Sequence, residues 1–545
     1  MNKIFKISTL MLITLLIFLV ACSNNEQNTQ SGDSNTNGDE PVKISVFSQQ
    51  NSTMDLETNW FTDLIEEKFN VEFDWQTTTW DGTAAAEARS IAMASGDYPE
   101  MFLLVPWVDQ FSQAELINYG GQGAIIPLND LIDEHAPNIK EVLDNHDYYA
   151  AMATAPDGNI YGLPQLNECF HCTWNTKMWI NETWLDNLGL EIPTTHEEFE
   201  QVLEAFKNDD PNGNGKNDEI PVSGAAGLDG GGLLSYLMNG FIYDDVVTRL
   251  LVEDGKVDFA PTQPEWKEGL EYMRGLYEKG LIDPATFSQN NDGLYQLGES
   301  EDEILGGAVV VHPAMFATDL ERHNQYAAVP PLKGPNASWG KYDYPSKPGG
   351  AFILTNKASE EAQIAAIKII DYLFTEEGKI LAERGPENVG WKKPEEGDIA
   401  INEDVEPILK QIPLAEGEEE RNDNWGPLSQ YYHQVEFRDG LVQDMDIYSA
   451  NGYERRLQEA TYLYENTEPE EVFPHWAVWY DAEVVDELSM MRTNIEDYID
   501  QNAVQFITGD KDLEKEWDAY VEGFERLNLE RYLEIMQEAF ENANF

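Results

Sequence analysis

Apolar and polar residues alternate over residues 42–47 (VKISVF), the period of a half-buried strand. Trp60, Phe61, Leu64, Ile65 and Phe69 then recur at helical spacing, and Val71, Phe73 and Trp75 alternate again. An Ala-rich stretch over 83–94 predicts a second helix, and 101–105 is a short apolar strand stopped by Pro106. This succession of strand, helix, strand, helix, strand predicts an α/β fold with parallel pairing. Further on, LNDLIDEHAPNIKEVL from Leu128 predicts a helix, a proline break and another helix. Residues 197–207 and 264–279 are amphipathic, 306–312 and 350–354 are buried strands, and 359–381 is one long helix. Residues 515–542 are helical around a turn near Asn528, and Trp476 and Trp479 alternate as strand residues do. Strand signals that return after long helical stretches imply two lobes, with the chain crossing between them more than once.

The amino-terminal pattern is of a different kind. Lys3 and Lys6 precede an apolar run over 10–20, which reads as a secretory signal and is too short for a membrane-spanning anchor. It ends Leu19-Val20-Ala21-Cys22, a match to the lipobox of bacterial lipoproteins. That resemblance implies cleavage before Cys22 and lipidation of its thiol, as by palmitate; the alternative is an ordinary secreted protein. Residues 23–40 contain no apolar side chain and form a flexible polar tether. Anchor, tether and large body together place the protein at the extracellular face of a cell membrane. The acidity and the scarcity of cysteine fit a Gram-positive surface.

Charge narrows the possible partners. The 545 residues include 101 Asp and Glu against 34 Lys and Arg, a formal net charge of −67. With no basic cluster, neither nucleic acid nor a polybasic contact with anionic lipid is expected. The charge is spread along the body, as suits a saline or alkaline habitat, with a specific cationic ligand as the alternative. Three cysteines are too few for a disulfide scaffold. Cys169-Phe170-His171-Cys172 offers too few ligands for a zinc site and reads as a disulfide or as inert thiols, with redox work as the alternative. No G-x-S-x-G, H-E-x-x-H or P-loop occurs, so a binding protein is expected rather than an enzyme.

The sharpest motif is D-P-N-G-N-G-K-N-D-E over 210–219. Asp210, Asn212, Asn214 and Asp218 stand at positions 1, 3, 5 and 9, and Gly215 at position 6, the spacing of a calcium loop. Lys216 would offer its backbone carbonyl. Pro221 stands where an EF-hand has its bidentate Glu, and Glu219 is the substitute. The alternative is a solvated Asn/Gly turn.

The stretch around this loop, WLDNLGLEIPTTHEEFEQVLEAFKNDDPNGNGKNDEIPVSG over 184–224, resembles extracellular solute-binding protein family 1. It is similar more narrowly to the carbohydrate-importer lipoproteins that include the alginate-oligosaccharide-binding group. MASGDYPEMFLL, IIPLNDLIDEHAPNI, IYGLP, GPENVGW and the carboxyl-terminal residues 506–540 extend the resemblance over nearly the whole body. It implies a two-lobe periplasmic-binding-protein fold of type II character, with a discontinuous layout and an enlarged helical second lobe. Residues 41–162 and 346–395 would form the first lobe, and 163–345 and 396–545 the second. A monomer would close on an oligosaccharide and present it to the permease subunits of an ABC importer. The alternative is a sugar-sensing or peptide-binding surface lipoprotein. A structural Ca²⁺ would be held by Asp210, Asn212, Asn214, the Lys216 carbonyl, Asp218 and Glu219, away from the sugar.

Sugars offer apolar C–H faces and hydroxyls, so aromatic platforms and amides at strand ends and in breaks are the expected contacts. Gln49, Asn51, Trp80, Trp107, Trp174, Trp391 and Trp425 meet that description, with ordinary packing as the alternative for each Trp. A uronic-acid ligand would add a cation such as Arg89, Arg384 or Lys347.

Overall fold

The first sheet is built where the alternation is strongest. The computed structural model describes residues 40–225, 232–344, 346–414 and 418–543. The signal, the lipobox with Cys22 and almost all of the tether lie outside them. Strands β1 (Val42–Gln49), β2 (Val71–Thr78) and β3 (Met101–Leu103) lie in parallel, with β1 in the middle; Ile44 stands opposite Phe73, and Val46 opposite both Trp75 and Met101. The edge strand β2 alternates buried and exposed residues, whereas β3 is buried throughout, as its inner position requires. Each crossover is a helix, Trp60–Phe69 capped by Asn59 and Gly82–Ser95 capped by Asp81.

Strand β4 (Leu163–Leu166) closes the far edge through an antiparallel partner much later in the chain. A second, three-stranded sheet has β5 (Lys177–Asn181) at its centre. The chain continues through a hairpin of β6 (Leu250–Glu253) and β7 (Lys256–Phe259). Strands β8 (Gly307–Val310) and β9 (Tyr326–Val329) then flank β5, both antiparallel. Strand β10 (Ser346–Leu354) returns to the first sheet, whose order is β2-β1-β3-β10-β4. Separate hydrophobic cores form over the two sheets. Ile44, Leu103, Leu163 and Phe352 belong to one; Met178, Trp184, Phe199 and Trp266 belong to the other, with the carboxyl-terminal helices against it.

Several expectations need correction. β4 belongs to the first sheet although residue 163 was expected to begin the second lobe. Trp425, Leu428, Tyr431 and Tyr432 are buried in the first core, so the chain visits that lobe again inside 396–545. The single helix over 359–381 is two, Glu360–Leu373 and Glu376–Arg384. Thr375 caps the second by accepting from the Gly378 N–H. Trp476 and Trp479, which the sequence leaves undecided, lie in a turn and in the irregular segment after it. The helices Leu513–Glu525 and Leu529–Asn542 meet at Asn528, whose left-handed φ of 59° ends the first and turns the chain. Among the described residues, no helix is long and apolar enough to cross a membrane.

Candidate functional site

A cleft of about 1110 Å³ lies between the two cores. Its first-lobe wall comes from the carboxyl ends of β2 and β3, where open α/β sheets place their ligands. Trp80 and Asp81 follow β2, and Pro106, Trp107 and Val108 follow β3. Asn290, Asp292, His312 and Met315 form the opposite wall, and Gln165, Asn167, Tyr344 and Gln430 the floor.

The loop that carries Trp107 is fixed from beneath. Gln49 at the end of β1 is fully buried; its amide accepts from the Val105 N–H at 2.6 Å and donates to the Asp109 carbonyl at 2.9 Å. The Arg89 guanidinium is buried and bound to both oxygens of Asp109, at 2.6 and 3.0 Å, and to Glu115 at 2.7 Å. Gly82 lets the loop approach, because a Cβ there would come within 2.9 Å of the Val108 carbonyl oxygen. Trp107 itself is 44% exposed, and the Trp80 indole N–H has no partner.

The structure therefore brings two of the expected platforms, Trp80 and Trp107, to one cavity and moves the others elsewhere. Gln49 is a positioning residue beneath the loop. Asn51 lines a smaller neighbouring cavity, and its side-chain oxygen accepts from the N–H groups of Thr53 and Met54. Trp174 is buried in the second core with its indole N–H on Glu468 at 3.2 Å. Trp391 packs with Leu409 and Phe437 and donates to the Gly385 carbonyl at 3.0 Å. Trp425 is 0% exposed, edge-on to Phe61 at 5.0 Å, and bonded to the Thr62 hydroxyl at 2.9 Å. In each case a partner satisfies the indole N–H and permits burial, a distant one for Trp174 and Trp425 and a local one for Trp391. Arg89 and Arg384 are held by acidic neighbours, Arg384 by Glu383 at 3.3 Å. The Lys347 side chain lies outside the described residues.

Sequence reasoning missed most of the floor. Tyr344 stacks on Tyr148 at 5.0 Å and on Trp476 at 6.0 Å. Asn167 donates to the Gln430 side chain at 3.1 Å, while its own side-chain oxygen is buried without a partner. The signal for Gln165 and Asn167 was the end of β4; nothing local marked Tyr344 or Gln430.

The cleft is acidic. Asp81, Asp292, Asp343 and Glu454 line it against one guanidinium, Arg438, which lies 3.6 Å from Glu454 and 3.8 Å from Glu383. Burial pushes the His171 imidazole down to about 3 despite Glu454 at 3.4 Å, so it is neutral at pH 7. His171 sits between Cys169 and Cys172, which form a disulfide in the cleft wall.

The 210–219 loop lies apart from the cleft lining. Asp210 accepts from the Gly215 N–H at 3.1 Å, Asn212 from Asn214 at 3.1 Å and Asn214 from Lys216 at 2.7 Å. Gly213 and Gly215 take positive φ, which winds the loop around these oxygens. The Lys216 side chain pairs with Asp302 at 2.7 Å, which leaves only its carbonyl for the loop interior. One oxygen of Glu219 is buried without a partner, and burial together with Asp218 and Asp210 raises its carboxyl above the usual range. A ring of hard oxygens with an orphaned buried carboxylate oxygen fits a calcium ion.

Residues 55–380 match the family described as bacterial extracellular solute-binding protein. The chain is 28% identical over 575 aligned positions to the fructooligosaccharide ABC transporter substrate-binding protein FusA of Streptococcus pneumoniae, covering 99% of this chain and 98% of that one. The structure of an EF-hand mutant of FusA in complex with fructo-nystose superposes with a TM-score of 0.71 at 26% identity, over 92% of this chain and 99% of that one. The alginate-binding protein AlgQ2 without calcium ion shares the fold, at a TM-score of 0.65 and 20% identity over 92% and 99% of the two chains.

Proposed function

Since the chain belongs to the bacterial extracellular solute-binding proteins, we propose that it captures an intact oligosaccharide by closing its two lobes, and hands it to an ABC permease. The observation that carries this is the cleft itself: a large cavity between two cores, with an exposed indole and a second indole at strand ends and amides on its floor. The ligand is neutral. Four carboxylates face one guanidinium that already has acidic neighbours, so a uronate would enter against net negative charge. Binding is non-covalent and the protein is not an enzyme; transport energy comes from a separate ATPase.

The chain works as a monomer held at the extracellular face of the membrane, by a lipid on Cys22 and the polar tether behind it. A structural calcium is held by Asp210, Asn212, Asn214, the Lys216 carbonyl, Asp218 and Glu219. By binding only the folded loop it stabilises the second lobe without touching the sugar.

Trp107→Ala tests the cleft. Covering the roughly 100 Å² of that indole still open to solvent stabilises the complex by about 2–3 kcal/mol. Isothermal titration calorimetry should show the Kd for the bound oligosaccharide rising about thirty- to a hundredfold, with the melting temperature unchanged. An unchanged Kd would remove Trp107 from the site.

A further inference from the structure

We propose that the smaller cavity beside Trp80 is a further subsite of the oligosaccharide site, so that the bound chain runs from the cleft past the Trp80 indole into it. This rests on the oligosaccharide reading and extends it to the length of the ligand. The smaller cavity measures about 280 Å³, and both Trp80 and Pro427 line it as well as the main cleft. Ligand pockets commonly span about 300–1,000 Å³. The cleft exceeds that range slightly and its neighbour falls just below it. A space so small suits one end of a chain seated elsewhere better than a ligand of its own.

Its chemistry is that of the cleft repeated without a demand for charge. Arg384 is engaged by Glu383 and by the Gln411 side chain at 3.2 Å. Arg421 donates to the carbonyls of Val389, Ile412 and Pro413 at 2.6, 3.0 and 3.2 Å and pairs with Glu418 at 3.1 Å. Arg421 is therefore taken up by its own neighbours, and Arg384 is paired through its terminal nitrogens while its Nε is buried without a partner, a single donor that suits a sugar hydroxyl. Met54, Ile412 and Leu414 supply apolar surface beside the amides. Asp423 is 8% exposed; one of its oxygens accepts from Asn424 at 2.7 Å and the other has no partner. Trp80, whose indole N–H is buried without a partner, lines both spaces. Apolar patches interleaved with single donors and acceptors match a neutral sugar ring, which offers C–H faces and hydroxyls.

Chain length reads this directly. Calorimetric titration of the full-length protein with fructan, malto-, xylo- and galacto-oligosaccharides of two to six units should reveal a series whose affinity rises at least tenfold between its shortest bound member and its five-unit member. Leu414→Trp fills the smaller cavity from an exposed rim position. It should abolish that gain while changing the Kd of the shortest bound member less than twofold. A plateau at the shortest bound member in the wild-type protein, or a variant that keeps the gain, would overturn the subsite and leave the oligosaccharide reading intact. No binding by any series would overturn the oligosaccharide reading, and the subsite with it. The wild-type series needs no variant to fold.

Discussion

Lowering the pH from 6.5 towards 4.5 in about 1 M salt is expected to destabilise the protein by about 4 kcal/mol per pH unit. The cause is a set of buried histidines: His171, pushed down to about 3 by burial, with His196 and His433, while burial lowers His312 and His323 as well. His196 lies stacked between Phe241 at 4.9 Å and Tyr272 at 4.5 Å, and burial pushes its imidazole down to about 4. His433 is fully buried beside Glu383 at 3.5 Å, and burial pushes it to about 4 against the attraction of that carboxylate. In the unfolded chain each of these imidazoles takes up a proton near pH 6.5. Between that pH and about 4 the unfolded state therefore holds more protons than the folded one. Their stabilising effect is complete above pH 6.5 and is lost as the pH falls, at about 1.4 kcal/mol per unit for each proton. The salt shortens the Debye length to about 3 Å, so that easing of surface repulsion as the acids protonate does not mask the effect. Urea titrations across this range measure the slope. His196→Phe keeps the aromatic stack and should take about 1.4 kcal/mol per pH unit off it; a stability independent of pH between 6.5 and 4.5 would refute the assignment.

Chelation should have the second largest effect. With free Ca²⁺ at about a thousand times its Kd, loss of an ion that binds only the folded loop removes about 4 kcal/mol. At about 1 °C per kcal/mol for a body of this size, EGTA is expected to lower the melting temperature by roughly 4 °C. Calcium should restore it and magnesium should not, because the smaller ion demands tight octahedral geometry that a flexible loop of side-chain oxygens does not offer. Glu219→Gln takes away the negative charge of the carboxylate whose oxygen lies orphaned, and should blunt the response. Since the loop takes no part in the cleft lining, sugar affinity at 25 °C should survive chelation. A melting temperature indifferent to EGTA would leave 210–219 a solvated turn.

Local order was legible where the chain speaks to its near neighbours. The alternation in β1 and β2, the two crossover helices and the proline break before Pro137–Asn145 all arise within short windows. The spacing of oxygens in 210–219 is likewise local. What remained hidden depends on distant partners. Trp425 sits in a polar, glycine-containing loop, and only its contact with Phe61 and Thr62 buries it. Gln49 stands at a strand end, as a sugar contact would, yet both its polar atoms are taken by the loop after β3. Tyr344 enters the cleft where the chain crosses back to β10, and Gln430, Arg438 and Glu454 enter it because the chain returns to the first core near residue 425 and leaves it again, a path no sequence period records. The break at Thr375 was missed because the apolar positions continue through it.

A cleft built as described takes up a neutral oligosaccharide whole. The most direct measurement is a calorimetric titration of the calcium-loaded protein with neutral oligosaccharides, uronic-acid oligosaccharides and peptides, with the sugar recovered afterwards and its length determined. The account predicts saturable one-to-one binding of a neutral oligosaccharide that is recovered uncut, and no comparable binding of uronates or peptides. A peptide or uronate bound in its place, or a sugar recovered in fragments, would contradict it.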